Sequence, residues 1–205
     1  QDQEKKACST ALGMRDRLND LRNKWKEEND WPEIVYSMQH RIGLNSGQMV
    51  TGNMGSQMRM NYTMMGDTVN LAARLEPAAK QYGVYIIVGE NIYKASNDEY
   101  VFRFLDFLGV KGKNIPVRAY ELIDIKDQIK KTSLELIETF EKGLDYYFNQ
   151  DWEKALEYFD KSKLLEEDFS GRNTNPSQVF IKRCNHFSMN PPLDDWDGVW
   201  RMTTK

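Results

Sequence analysis

Asn70 and Arg74 are the two side chains whose types and spacing best suit work on a phosphorylated ligand. They lie four positions apart in a segment with helical spacing of apolar residues, so both project from one face of the predicted helix. The Arg74 guanidinium offers a planar set of donors for phosphoryl oxygens. Asn70 lies in the first turn, where free amides and the helix dipole favour an anion. The alternative is a solvated Arg74 and an Asn70 that is simply typical of helix starts.

The elements that must position this pair are short strands mixed with helices, which predicts an α+β fold class. Gly66-Asp67 opens the helix that carries the pair, Asp67 is the expected cap, and Pro77 and Gly83 bracket the end. Residues 34–44 and 49–51 are predicted to form a glycine-punctuated hairpin. The remaining predicted elements are helices over 7–25 and 90–95 and strands over 84–88, 100–108 and 117–123.

Beyond residue 125 long helical periods replace the short strands, which predicts two domains, 1–125 and 126–205. Tyr146, Gly143, Ala155 and Phe159 stand at offsets that resemble one tetratricopeptide repeat, a pair of helices. Because one repeat cannot bury its own face, a third helix over 178–187 is expected to cover it.

Three segments identify the first region by resemblance. Residues 41–56 read RIGLNSGQMVTGNMGS, residues 61–76 read NYTMMGDTVNLAARLE, and residues 107–122 read FLGVKGKNIPVRAYEL. Together they closely resemble the signature of class III nucleotide cyclases, and the resemblance covers about residues 7–123. It implies a ferredoxin-like cyclase domain whose N-terminal strands are missing from this chain.

The resemblance also implies a role for four residues. Asn70 matches the residue that orients the ribose, and Arg74 matches the one that stabilises charge on the α-phosphate. Thr63 matches the position that reads the purine edge, and a hydroxyl there favours ATP. Lys111 matches the lysine that contacts the triphosphate tail. Thr63 could instead be an ordinary strand residue, and Lys111 a solvated turn residue.

The same resemblance implies a divalent cofactor, Mg²⁺ or Mn²⁺, held by two aspartates that are expected upstream of Gln1. Because the chain lacks an initiator Met, we interpret its start as a cut inside a longer protein.

Cyclase sites of this family form between two subunits, so the expected partners are ATP and a second protomer. The isolated chain is then expected to be inactive. The methionines at 54, 58, 60, 64 and 65 are expected to be core or dimer contacts.

The last residues, 190–205, resemble the terminus of bacterial cyclases that carry a CHASE-type sensor and membrane helices. This implies the cytoplasmic part of an inner-membrane sensor protein. Trp196 and Trp200 could form an exposed docking strip, but packing on the cyclase domain is the favoured interpretation.

The composition of the chain narrows the classes of molecule that it could bind. The formal net charge of -3 argues against binding a polyphosphate backbone such as nucleic acid. The longest apolar run, Val84 to Val88, is far shorter than the roughly 20 residues needed to cross a bilayer. Cys8 and Cys184 lie at opposite ends, which fits a reducing, cytoplasmic compartment.

Two functions from different classes follow. The first is an adenylate cyclase part that converts ATP to cyclic AMP and pyrophosphate at a homodimer interface. The second is a non-catalytic regulatory or interaction module derived from a cyclase.

Overall fold

The computed structural model describes the chain in five segments, residues 2–56, 58–109, 116–169, 171–193 and 195–200. Within these segments no helix is long and apolar enough to cross a membrane.

The first 125 residues contain both helices and strands, and the described residues beyond them contain helices only. The helices are α1 (Gln3–Glu28), α2 (Asp67–Tyr82), α3 (Glu90–Ser96), α4 (Lys131–Phe148), α5 (Trp152–Lys163) and α6 (Pro176–Met189). The strands are β1 (Ile42–Leu44), β2 (Val50–Ser56), β3 (Arg59–Met65), β4 (Ile86–Gly89), β5 (Tyr100–Leu108) and β6 (Val117–Ile125).

Among the described residues, four strands form a mixed sheet in the order β1-β4-β6-β5, and β2 and β3 form a separate hairpin. β1 pairs parallel with β4, with Ile42 opposite Ile86, and the other two pairings in the sheet are antiparallel. Mixed sheets of this kind, covered by helices, are typical of the α+β class that the sequence predicted.

The prediction of a hairpin between residues 34–44 and 49–51 is wrong, because each segment pairs with a different strand. Residues Glu33–Ser37 form a 3-10 helix after Pro32, and only Ile42–Leu44 are extended. That short strand joins β4 instead, and the hairpin forms between β2 and β3, with Val50 opposite Met65. Local β propensity could not distinguish a near partner from a distant one, because pairing depends on burial against the rest of the fold.

The start of α2 differs from the prediction, and its end agrees with it. Gly66 is the N-cap and Asp67 is the first helical residue, and no side-chain capping bond forms at Gly66. Pro77 lies inside the helix, which continues to Tyr82 and ends at Gly83 in the left-handed conformation, with φ 64°.

The sheet separates two apolar clusters, because successive side chains of a strand point to opposite faces. On one face, Ile86 and Val88 pack with residues of α1 and α3 such as Leu12 and Ile92. On the other face, Ile87 packs with α2 and with the helices beyond residue 125. The C-terminal helices therefore share a core with the helix that carries Asn70 and Arg74.

The C-terminal helices bury the residues that suggested a repeat: Gly143, Ala155 and Phe159 are buried, and α6 packs on α5. Trp196 and Trp200 also pack, but their described ring contacts are with these helices and not with the first region, where packing was expected. Aromatic residues of α4, α5 and α6 receive them because they offer the larger apolar surface there.

Candidate functional site

Asn70 and Arg74 lie on the exposed side of α2, as the spacing predicted. The Asn70 backbone N–H donates to the Gly66 carbonyl (3.0 Å), which closes the first turn of the helix. Within the part of the chain that the structure describes, the Arg74 side chain makes no hydrogen bond or ion pair. An exposed guanidinium with its donors unused can bind an anion without first losing an internal partner.

Thr63 lies on β3, opposite Gly52 in the hairpin, and its side chain is exposed. β3 ends at Met65 and α2 begins at Asp67, so only Gly66 separates the strand from the helix. The strand that carries Thr63 therefore leads directly into the turn that carries Asn70. This connection places the three candidate residues on consecutive elements of one exposed surface.

Lys111, the predicted phosphate-binding lysine, lies outside the described residues. Its neighbours on the two flanking strands, Leu108 and Val117, pair with each other at the end of the β5-β6 ladder.

A small polar cleft of about 170 Å³ lies beside the start of α2, lined by Asn45, Asp67, Thr68, Leu71, Glu90, Asn91 and Val117. Asn45 closes one side by donating to the Thr68 carbonyl (3.1 Å). Small-molecule sites usually enclose roughly 300 Å³ or more. Neither Asn70 nor Arg74 lines this cleft, and both side chains lie on the exposed surface of α2.

Among the described residues, no group of three or more His, Cys, Asp or Glu side chains could hold a metal ion. Asp106 on β5 is 1% exposed and accepts hydrogen bonds from Tyr82 and Arg183. Its carboxylate is thus committed inside the protein.

Sequence reasoning missed the partners of Asp106. The available signal was an acidic residue inside the apolar strand 102–108, because a carboxylate in such a place needs a buried donor. Nothing in the local sequence indicates that the donor lies 77 residues away, on α6.

Comparison with known proteins gives the family. The model for the adenylate and guanylate cyclase catalytic domain matches residues 1–124. An adenylate cyclase of Dictyostelium discoideum, described as terminal-differentiation specific, is 34% identical over 152 residues, which cover 72% of this chain and 7% of that protein. Adenylate cyclase 1 of Rhizobium meliloti is 32% identical over 126 residues, which cover 62% of this chain and 18% of that protein.

Among solved structures, a bacterial light-regulated adenylyl cyclase is similar with a TM-score of 0.50 and 28% identity, over 59% of this chain and 33% of that one. The chain thus spans only a small part of the length of these relatives. The family model nevertheless matches more than half of the chain, including β3 and α2 with all three described candidate residues. The chain therefore belongs to the family of adenylate and guanylate cyclase catalytic domains.

Proposed function

We propose that this chain supplies one half of the active site of an adenylate cyclase, which converts ATP to cyclic AMP and pyrophosphate. The observation that carries the proposal is the exposed pair Asn70 and Arg74, with Arg74 unpartnered among the described residues, inside the segment matched by the family model. In the reaction the ribose 3′-oxygen forms a bond to the α-phosphorus and loses its proton, while the bond to the β-phosphate oxygen breaks and pyrophosphate leaves.

Each residue has one task in this proposal. Arg74 stabilises the charge that builds on the α-phosphate, where a fixed cation is most effective in the transition state. Asn70 orients the ribose, and Thr63 forms a hydrogen bond to adenine. Lys111 binds the triphosphate tail. The choice of ATP over GTP rests on Thr63 and on relatives that are themselves described as adenylate cyclases.

The site is proposed to form between two copies of the protein. The hairpin supports this, since Val50, Met60, Tyr62, Met64 and Met65 are all at least half exposed. Four of the methionines expected to be core or dimer contacts, Met58, Met60, Met64 and Met65, are exposed, with Met58 97% exposed, so these four are not core residues of this chain. Apolar side chains clustered on one exposed hairpin are typical of an interaction surface.

Mg²⁺ or Mn²⁺ is proposed as the cofactor, held by carboxylates from outside this chain. The buried pairing of Asp106 is consistent with this, because that carboxylate is committed to internal partners. A cytoplasmic location, a CHASE-type sensor and a tetratricopeptide-like role of residues 126–205 rest on sequence resemblance and remain proposals of the same kind.

The alternative is a non-catalytic module that works through its C-terminal helices. The shared core between those helices and α2 is the observation that favours it.

A cyclase assay distinguishes the two functions. Purified complete protein is incubated with Mn²⁺ and either ATP or GTP, and cyclic nucleotides are quantified. We expect cyclic AMP from ATP, less product from GTP, and no product from residues 1–205 alone. A complete protein that makes no cyclic nucleotide would support the non-catalytic module, and an active isolated chain would contradict the placement of the metal ligands.

A further inference from the structure

The C-terminal end of α2 is held by a buried group of three polar side chains: Tyr82 on α2, Asp106 on β5 and Arg183 on α6. The Tyr82 hydroxyl donates to Asp106 Oδ2 (2.5 Å), and Arg183 Nη1 donates to the same oxygen (2.5 Å). Arg183 Nη2 donates to the Tyr82 oxygen (3.0 Å). Each member is therefore bonded to both of the others.

Aromatic rings surround the Arg183 guanidinium and keep it from water. Its central carbon lies 4.8 Å from the ring centre of Phe180, 5.3 Å from that of Trp200 and 5.6 Å from that of Tyr82. Burial, followed by the negative charge of Asp106, raises the pKa of Tyr82 well above its ordinary value. The hydroxyl thus keeps its proton and stays a donor. Because buried charge pairs tolerate little displacement, the group ties α6 firmly to α2.

A second contact holds the same end of the helix. Arg172 Nε donates to the carbonyl of Gly83, the C-cap of α2 (2.9 Å), and Arg172 Nη2 pairs with buried Glu166 (3.0 Å). The segment before α6 lies so close to Gly83 that a Cβ there would stand 1.9 Å from the Thr174 carbonyl oxygen. Two arginines of the C-terminal region therefore fix two adjacent residues at the end of α2.

The middle of α2 rests on the sheet. A Cβ at Gly43 of β1 would lie 2.7 Å from the Ala72 carbonyl oxygen, so strand and helix are in direct backbone contact there. A helix that rests on the sheet in this way can still shift along its axis. Because it is rigid, a shift at Tyr82 moves Arg74, about 12 Å away at 1.5 Å per residue, by the same amount. The contacts of Arg172 and Arg183 with the end of α2 oppose such a shift.

We propose that the C-terminal helical region sets the catalytic geometry of α2, with Arg183 as the positioning residue that holds Asn70 and Arg74 in place. The inference rests on the proposed function for its effect on turnover. Its mechanical part, that Arg183 restricts α2, stands independently. A region whose packing on α2 changed with a stimulus would thereby regulate the site.

The test measures the position of α2 and the turnover separately in the complete protein. Spin labels are attached at Ala73→Cys on α2 and Lys94→Cys on α3, both exposed positions. The native Cys8 and Cys184 are fully buried, and burial raises their thiol pKa values to about 11 and about 12, so they should not react. The distribution of distances between the two labels is measured by pulsed electron paramagnetic resonance. Because Ala73 adjoins Arg74, kcat and KM are measured on unlabelled protein that keeps Ala73.

Two variants weaken the buried group of Tyr82, Asp106 and Arg183. Arg183→Met removes the guanidinium, and the milder Tyr82→Phe removes only the hydroxyl and keeps the ring. The second variant is used for the test if the first does not fold. Glu121→Gln is the matched control, since it weakens the ion pair with Arg103 between β5 and β6 without touching α2. We expect the first two to broaden the distance distribution and lower kcat by roughly tenfold to a hundredfold with little change in KM for ATP. The control should keep the wild-type distribution and kcat even if its melting temperature falls.

The two readouts separate the possible outcomes. An unchanged distance distribution in both variants overturns the inference. So does a broadened distribution with unchanged kcat in an active protein. If the wild-type protein makes no cyclic nucleotide, the proposed function fails, and the distance measurement alone decides whether Arg183 positions α2.

Discussion

The two ends of α2 differ in almost every physical respect. Toward its N-terminus, Asn70 and Arg74 are exposed, and Arg74 has no polar partner among the described residues. At its C-terminus, Tyr82 is 1% exposed and bonded to both Asp106 and Arg183. One helix thus carries an open set of donors at one end and a closed set at the other.

The difference teaches how polar groups divide between function and stability. A buried charge without a partner is costly, so Arg103, Glu166 and Arg183 are all paired inside the protein. An exposed charge is solvated and costs little, so Arg74 can remain available to a ligand. The comparison predicts that changes at the closed end reduce stability as well as turnover, and that changes at the open end reduce turnover alone.

The largest expected effect is on stability. Glu166 is buried between Arg103 and Arg172 and accepts a hydrogen bond from Ser177. The substitution Glu166→Gln therefore removes the negative charge with which both arginines pair. We expect the free energy of unfolding to fall by about 3 kcal/mol, measured by urea denaturation. The control Glu138→Gln removes an exposed pair with Lys142 and should leave unfolding unchanged within error. Equal effects of the two variants would contradict the comparison.

The next effect is on turnover. Arg74→Ala should lower kcat by about a hundredfold in the complete protein with little change in ATP binding, because the lost donors act on charge that develops in the transition state. Asn70→Ala should behave similarly. The control is Lys80→Ala, which removes an exposed cation from the same helix and should leave kcat unchanged. Thermal unfolding of Arg74→Ala should match the wild type, and near-normal turnover would remove Arg74 from the site.

A smaller effect is expected in base choice. Thr63→Val keeps the shape and removes the hydroxyl, so the ratio of kcat/KM for ATP over GTP should fall by about tenfold, the worth of one good hydrogen bond. Thr51→Val, an exposed change on the neighbouring strand β2, is the control. If Thr63→Val leaves the ATP to GTP ratio unchanged, Thr63 is an ordinary strand residue.

The smallest expected effect is a pH dependence of stability. Burial alone would raise the pKa of Glu166, but the charges of Arg103 and Arg172 outweigh it and hold the pKa below its usual 4.5. The native state therefore favours the ionised form, and this stabilisation is present above about pH 4.5 and is lost as the pH falls through the lowered pKa. Unfolding curves from pH 7 to 3 should show a shallower decline for Glu166→Gln than for the wild type. Parallel declines would show that Glu166 does not contribute.

Local pattern was sufficient to predict several elements and to place Asn70 and Arg74 on one exposed side of a helix. Strand β5 has the predicted bounds, and the spacing of Asn70 and Arg74 placed both on one exposed side of a helix. Such features depend on the period of a few neighbouring residues, which a sequence displays directly.

The tertiary structure decided which distant segments meet. Parallel pairing of β1 with β4 replaced the expected local hairpin, because a short strand is stabilised by the partner that buries it and not by its own propensity. Asp106 lies inside a strand that is otherwise largely apolar, and only folding brings Arg183 to it across 77 positions of sequence. Contacts of that kind require the whole core to form, so no local period in the sequence records them.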